Sequence, residues 1–269
     1  MITKTKCIFW NIHKQTNEHI LSSFINEQKP DFLFVTETDK SFIEKITVST
    51  KYSYIESKIN KEKPKIFLLS KFGIDGIALI QEYKKRMFVY EIQINKFKII
   101  LIALHLGSKI NMDEQTQMCE ALDYINQINN IEKSNNLFNT IVIGDFNMNP
   151  FDLGMIAGNG FNSVISKEIA LKEKRKYQHN DYLYFYNPSW KLFGSPDNLF
   201  GTYYLNNPPH SGFYWNIYDQ VLVRPNILKH FEVDYDIIKN DKYFNVRGQT
   251  YSDHSPIYLE LKRRNICQK

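Results

Sequence analysis

The chain has 269 residues, 43% of them hydrophobic and 14% aromatic, with a formal charge of +5. That length and apolar content provide for one sizeable core and exclude a disordered or low-complexity chain. The charge is too mild to demand a polyanionic partner, no run nears the roughly 18 apolar residues of a membrane span, and the distant cysteines Cys7, Cys119 and Cys267 offer neither a disulfide framework nor a zinc knot.

Pro, Gly and Ser never cluster and no repeat is visible, so one domain over residues 1–269 is expected. Met1–Lys14 has no small-residue cleavage site behind its short apolar run, and it does not read as a secretory signal. With unpaired cysteines, a reducing cytoplasm is the expected location.

Lys6–Trp10 reads as a strand running into Asn11-Ile12-His13. Asn17 is placed to cap a helix whose apolar face is Ile20, Leu21, Phe24 and Ile25, and Lys29-Pro30 ends it. Asp31–Val35 is the next strand and stops at the polar cluster Thr36-Glu37-Thr38-Asp39, which completes a βαβ-like unit. Lys65–Ser70, Ile74–Glu82, Arg86–Ile94 and Lys98–His105 then suggest a four-stranded meander, with Asn95-Lys96 as a hairpin turn. Its last member is almost wholly apolar from Ile99 to Leu104, which predicts a central strand delivering His105 at its end. Asn111 and Glu114 resemble a capping box for a helix carrying Met118, Ala121, Leu122, Ile125 and Ile128 on one side.

That helix returns the chain to Ile141-Val142-Ile143-Gly144-Asp145-Phe146-Asn147-Met148-Asn149-Pro150. A buried strand is expected to end at Gly144, where the backbone can turn or approach a ligand. Asp145 and Asn147 point the same way if the segment stays extended, and an Asx turn closing the strand is the simpler alternative. Residues 159–216 form the least regular stretch. It holds the basic run Lys172-Glu173-Lys174-Arg175-Lys176 and many aromatics, including Tyr182, Tyr184, Tyr186, Trp190, Tyr203, Tyr204 and Trp215. Rings among cations can stack bases and hold phosphates, or simply pack the excursion onto the core. Ile217–Val223 reads as a strand with Asp219 inside it, and Phe231–Ile238 as another. Ser252-Asp253-His254-Ser255-Pro256 precedes the alternating strand Ile257–Leu261.

The polar residues singled out fall at the ends of apolar strands, with Asp219 within one. The ordered set Trp10-Asn11, Thr36-Glu37-Thr38, Leu104-His105-Leu106, Gly144-Asp145-Phe146-Asn147, Tyr218-Asp219 and Ser252-Asp253-His254-Ser255-Pro256 resembles the endonuclease/exonuclease/phosphatase superfamily. Its members include pancreatic-type deoxyribonuclease, apurinic endonucleases, neutral sphingomyelinases and inositol polyphosphate 5-phosphatases. The resemblance runs over nearly the whole chain apart from 159–216. It implies an α/β fold, a four-layer sandwich of two packed mixed β-sheets flanked by helices. It also implies phosphoester hydrolysis by water with Mg²⁺, for which Mn²⁺ is a possible substitute. Such hard ions take oxygen ligands and keep several waters.

By that resemblance Glu37 is the principal metal ligand, helped by Asn11 and Asp253. His254 contacts the scissile phosphate or takes the proton of the attacking water, and Asp219 orients its imidazole. Asp145 and Asn147 position the water and a phosphate oxygen. His105 resembles the histidine of the deoxyribonuclease and sphingomyelinase branches, whereas apurinic endonucleases carry a tyrosine motif there. Tyr218-Asp219-Gln220-Val221 departs from the Trp-Thr-Asp-Arg-Ile-like segment of the 5-phosphatases, and Gln220 replaces an arginine that often contacts phosphate. Glu62 is the carboxylate considered as partner of His105, without a local motif to assign it.

The leading expectation is therefore a metal-dependent nuclease, most simply a DNA endonuclease, with DNA ahead of RNA as its polymer. The basic run and the aromatics are the reason for preferring a polymer. A phosphodiesterase or phosphatase for a small or lipid phosphoester is the alternative. A catalytically dead binding module is disfavoured, because Glu37, Asp145, Asp219 and His254 all carry competent side chains.

Overall fold

The computed structural model describes residues 4–56, 64–109, 112–193, 201–210, 212–240, 242–244 and 251–264. In chain order the elements begin with β1 (Lys4–Asn11), α1 (Glu18–Gln28), β2 (Phe32–Thr36), α2 (Lys40–Ser49), β3 (Ser53–Tyr54) and β4 (Ile66–Ser70). There follow β5 (Ile77–Tyr83), β6 (Met87–Ile94), β7 (Phe97–His105), α3 (Glu114–Ser134), β8 (Thr140–Asp145) and α4 (Leu153–Ile156). The next group is β9 (Ser163–Val164), α5 (Lys167–Ala170), β10 (Lys174–Tyr177), β11 (Asn180–Leu183) and β12 (Phe185–Tyr186), then a 3₁₀ turn at Pro188–Leu192. The chain closes with β13 (Tyr203–Tyr204), β14 (Trp215–Asn216), β15 (Asp219–Val223), α6 (Pro225–His230), β16 (Phe231–Ile237) and β17 (Ile257–Arg263).

Two mixed sheets carry the fold. One has the order β16-β17-β1-β2-β4-β3 and the other β5-β6-β7-β8-β15-β12-β9. The period of two along each strand divides its side chains between two layers. In β1, Cys7 and Phe9 enter the core between the sheets, while Ile8 and Trp10 meet Leu21, Phe24, Phe42 and Ile46 of α1 and α2. In β7, Ile99, Leu101 and Ala103 face the other sheet, while Ile100, Ile102 and Leu104 meet α3. Strands covered on both faces read as continuous apolar runs. The result is the expected four-layer α/β sandwich.

Several local expectations hold. Asn17 caps α1 by accepting from the Ile20 N–H. Asn95 and Lys96 both have positive φ (48° and 68°), as the tightest hairpin turn requires. Others need correction. β4 does not join a meander. It pairs antiparallel with β2 in the first sheet, leaving β5-β6-β7 as the hairpin series. The helix α2 was not anticipated; Asp39 caps it by accepting from the Phe42 N–H. The cap of α3 is Asp113, bonded to the Thr116 N–H, and Asn111 lies outside the described residues. The buried face of α3 is rotated to include Gln117 and Tyr124, with Met118 and Leu122 only half-buried.

Gly144 is not a turn. It lies within β8, and a Cβ there would sit 1.9 Å from the backbone oxygen of Leu104 in β7. Glycine is required for the close approach of two parallel strands. Strand β15 starts at Asp219, so this residue ends a strand as the others do. Because β15 runs antiparallel to β8, its first residue stands beside the last of β8, Asp219 opposite Asp145.

Candidate active site

The parity that builds the inter-sheet core also assembles the site. Asn11 continues the inward series Cys7-Phe9 of β1, Thr36 continues Phe32-Phe34 of β2, and His105 continues Ile99-Leu101-Ala103 of β7. Asp145 follows Ile141-Ile143 in β8, and Asp219 precedes Val221-Val223 in β15. All five emerge between the sheets at one edge. Parallel strands contribute their carboxyl ends there, and β15 its amino end.

Asn11 joins the two sheets. Its Nδ2 donates to Glu37 Oε1 at 3.0 Å and to Asp145 Oδ2 at 3.3 Å, while its Oδ1 accepts from the His13 N–H. Asp145 Oδ1 accepts from the Asn147 N–H at 2.9 Å, so the segment is an Asx turn, with Asn147 at a φ of 50° rather than extended. The turn and the site are one feature. Asn147 Nδ2 donates to the Leu106 carbonyl, and Gln117 of α3 holds the Asn147 carbonyl.

The last loop is fixed from several sides. Trp10 Nε1 donates to the His254 carbonyl, and Ser252 Oγ donates to the Asn11 carbonyl. His254 Nδ1 lies 2.8 Å from Asp219 Oδ2, and its Nε2 is 4.0 Å from Asp145 Oδ2. Burial opposes charge on this imidazole, but Asp219, Asp145 and Asp253 outweigh it and raise the pKa to about 10. His254 is thus an imidazolium at neutral pH, with Nδ1–H on Asp219 and Nε2–H toward Asp145. Because an unfolded histidine titrates near 6.5, this interaction stabilises the fold fully below about pH 6.5. The contribution is lost as the pH rises through about 10. In metal-free protein, the melting temperature of wild type should therefore fall more steeply between pH 7 and 10 than that of Asp219→Asn. Parallel curves would refute the charge assignment.

His105 is buried, with Nε2 3.8 Å from both Glu37 Oε1 and Asp145 Oδ2. Its Nδ1 lies 2.8 Å from Thr36 Oγ1, which donates its single hydrogen to the Lys65 carbonyl. The hydroxyl must then accept from Nδ1–H, which fixes the tautomer. Burial lowers the His105 pKa against the pull of Asp145 and Glu37. Glu62 lies outside the described residues, and Thr36 fills the partner's place. For Glu37, burial is overcome by the Asn11 hydrogen bond and the nearby imidazoles, and its pKa falls. Burial and Asp219 push Asp145 upward.

Glu37, Asp145, Asp219 and Asp253 thus supply oxygen donors around one edge. Donor atoms of Asp145, Asp219 and His254 lie within 4.8 Å of one another. Asp219 Oδ1 and Asp253 Oδ1 are buried and have no hydrogen-bond partner among the described residues. Orphaned carboxylate oxygens in such a donor set fit a divalent cation.

Two clefts flank this edge. One, of about 870 Å³, is lined by Lys14, Lys65 and Arg86 together with Glu37 and His105. The other, of about 650 Å³, is lined by Lys109, Phe151, Phe213 and Tyr218. The basic run does not contribute. Lys174–Tyr177 forms a hairpin with Asn180–Leu183, and the Leu183 carbonyl binds Arg224, which follows Val223 at the far end of β15. That end is four residues, or about 13 Å, from Asp219. The aromatics divide likewise. Tyr186 pairs with Val223, whereas Tyr203 lies 4.8 Å from the His254 ring and stacks on Tyr218. Gln220 points to the opposite face from Asp219, donates to the Met148 and Ile217 carbonyls and makes no contact in the site.

Sequence reasoning missed His13, Thr36 as a partner, the placement of Tyr203 against His254 and the lining cations Lys14, Lys65 and Arg86. His13 had a signal, being two residues beyond Asn11. Tyr203 stood among the aromatics that can stack bases, but nothing in its stretch of sequence marks it as the ring beside His254.

The family model described as "Endonuclease/Exonuclease/phosphatase family" matches residues 8–254. No curated protein matches the chain. Among solved structures, a humanized D. rerio TDP2 is similar with a TM-score of 0.61 at 15% identity, over 97% of this chain and 99% of that one. An endonuclease/exonuclease/phosphatase family protein from Bacteroides thetaiotaomicron gives 0.62 at 15% identity, over 96% and 98%. A mannosyl-6-phosphatase from the same organism gives 0.59 at 14% identity, over 96% and 99%. At these identities the likeness is one of fold.

Proposed function

The chain belongs to the endonuclease/exonuclease/phosphatase family, and from that premise we propose that it is a divalent-metal-dependent phosphodiester hydrolase acting on DNA. The observation that carries this reading is the position of the Asp219–His254 pair and Asp145 between a cation-lined and an aromatic-lined cleft. A strand crossing the edge would lay its phosphates along Lys14, Lys65 and Arg86 and its rings against Phe213 and Tyr218. A D. rerio TDP2 of the same fold, similar at a TM-score of 0.58, has been solved with a single strand DNA product.

Glu37 and Asp253 would hold the cation, which when bound supplies positive charge against the scissile phosphate. Asn11 keeps Glu37 and Asp145 side by side. Asp145, raised by burial, would orient the attacking water and take its proton as the new P–O bond forms, while the P–O bond to the opposite ester oxygen breaks and that oxygen leaves as an alkoxide protonated by solvent. His254, already an imidazolium, would donate Nε2–H to a phosphoryl oxygen as charge develops there. This favours the phosphate-contact role over the general-base role for His254. His105, with its Nδ1–H committed to Thr36, would hold Nε2 at the boundary of the cationic cleft.

The test is cleavage of supercoiled plasmid and of single-stranded oligonucleotide in Mg²⁺ and in Mn²⁺, with EDTA as control. The double variant Lys14→Ala/Lys65→Ala should weaken oligonucleotide binding and reduce the slope of log affinity against log salt by about one per lysine. An unchanged slope would remove these cations from the binding track. A second reading, a phosphatase for small phosphoesters, is favoured by the aromatic-lined cleft and by the fold-level likeness to the mannosyl-6-phosphatase. Phosphate release from sugar phosphates, with both polymers left intact, would select it.

A further inference from the structure

The aromatic lining does not stop at the cleft. Phe151 is the hub of a larger group, its ring centroid 5.4 Å from Phe213, 5.6 Å from Phe193 and 6.4 Å from Trp190, with Trp190 and Phe193 5.8 Å apart. Phe193 is 37% exposed and Phe213 56%. Contiguous apolar surface left in water marks a binding site, and this patch is continuous with the catalytic edge, because Phe151 and Phe213 line the same cleft as Tyr218.

The rings are mounted on buried amides. Gln220, next to Asp219 in β15, accepts from Asn187 Nδ2 at 2.7 Å, and Asn187 Oδ1 accepts from the Ser189 N–H to start the 3₁₀ turn that carries Trp190. On the other side Asn216 Nδ2 donates to the Phe213 carbonyl, and Asn149 Nδ2 donates to Asn216 Oδ1. All four amides are buried, and none has a part in the chemistry above. Rings held in place lose little freedom when a ligand settles on them. The charges point the same way. Lys109 is engaged by Asp152 and lies over the Tyr218 ring, while Asp113 and Glu114 also line the cleft. This side offers ring faces rather than a grip on phosphate.

We propose that Phe151, Trp190, Phe193 and Phe213 form a stacking platform for unpaired bases, so that the substrate is single-stranded DNA or an unpaired end rather than intact duplex. The inference rests on the reading of the chain as a DNA hydrolase. Within a duplex each base face is covered by its neighbours, and only an unpaired stretch can lay its bases on protein rings. Phosphates on Lys14, Lys65 and Arg86 at one side, with bases on rings at the other, suit a strand that can turn its bases outward.

The experiment measures fluorescence anisotropy in EDTA, where cleavage is blocked, with three labelled probes: oligothymidylate, an abasic strand of equal length and a blunt duplex. Wild type should bind oligothymidylate at least tenfold more tightly than either of the others. Phe193→Ala/Phe213→Ala should lose about tenfold or more on oligothymidylate and almost nothing on the abasic strand, with the salt slope unchanged. Phe193→Leu/Phe213→Leu, which keeps apolar surface without the rings, should fall nearly as far. Equal binding of oligothymidylate and the abasic strand by wild type, duplex binding as tight as oligothymidylate, or full affinity in either double variant overturns the platform alone. Failure of all three probes to bind at low salt overturns it together with the DNA reading on which it rests.

Discussion

Replacing His254 by alanine is expected to lower metal-dependent phosphodiester hydrolysis by about three orders of magnitude or more, while the protein stays folded and still binds its cation. The size follows from what is removed. A preorganised charged donor facing a developing phosphoryl charge in a water-poor site contributes about 10²–10³, and loss of the imidazolium also removes the charge that faces the base Asp145. The site meets both conditions, with Nδ1 held by Asp219 at 2.8 Å and the ring covered by Tyr203. Asp219→Asn should fall less, by about a hundredfold, because the imidazole remains but loses the charge that keeps it protonated and oriented. Steady-state turnover on an oligonucleotide, with calorimetric metal binding beside it, checks the pair. If His254→Ala retained more than about a tenth of wild-type turnover, the imidazolium would have no part in the chemical step.

The largest effect on stability is expected at a pair remote from the chemistry. Arg224, 1% exposed, meets the fully buried Glu132 through two bonds, Nε to Oε1 at 2.8 Å and Nη2 to Oε2 at 2.9 Å. Its other donors reach Asn129 Oδ1 and the carbonyls of Leu183 and Tyr184, and the guanidinium lies 3.8 Å over the Phe185 ring. The pair therefore fastens α3 and the β11–β12 segment to the end of β15. Glu132→Ala leaves a buried guanidinium without its counter-charge and should cost about 3–5 kcal/mol. Replacing both partners, as Glu132→Leu/Arg224→Met, should recover much of that loss, since the desolvation of both ions is then avoided. Urea denaturation of the three proteins measures it, and turnover below the transition should be unchanged. A single-variant loss under about 1 kcal/mol would mean that water solvates the arginine.

Much of this molecule is local in origin. Alternation of side chains along Lys4–Asn11, Phe97–His105 and Thr140–Asp145 marks the strands, and it decides that Asn11, His105 and Asp145 face the inter-sheet layer. Polar residues closing apolar runs were visible for the same reason, and so was the family resemblance carried by Gly144–Asn147 and Ser252–Pro256.

What the chain order does not contain is which strands become neighbours and which of their ends meet. Asn11 and Asp145 are 134 residues apart, Trp10 and His254 are 244 apart, and each pair is joined by a hydrogen bond. Only that long-range pairing moved β4 into the first sheet, made Gly144 a point of strand contact and set Thr36 against His105. The same pairing sent the Lys172–Lys176 run to the far end of β15, while Lys14, Lys65 and Arg86, unremarkable in sequence, came to line the cleft. Side-chain parity is a property of one strand and survives in its sequence. Convergence depends on loop closure and on pairing between distant strands, and no single segment encodes it.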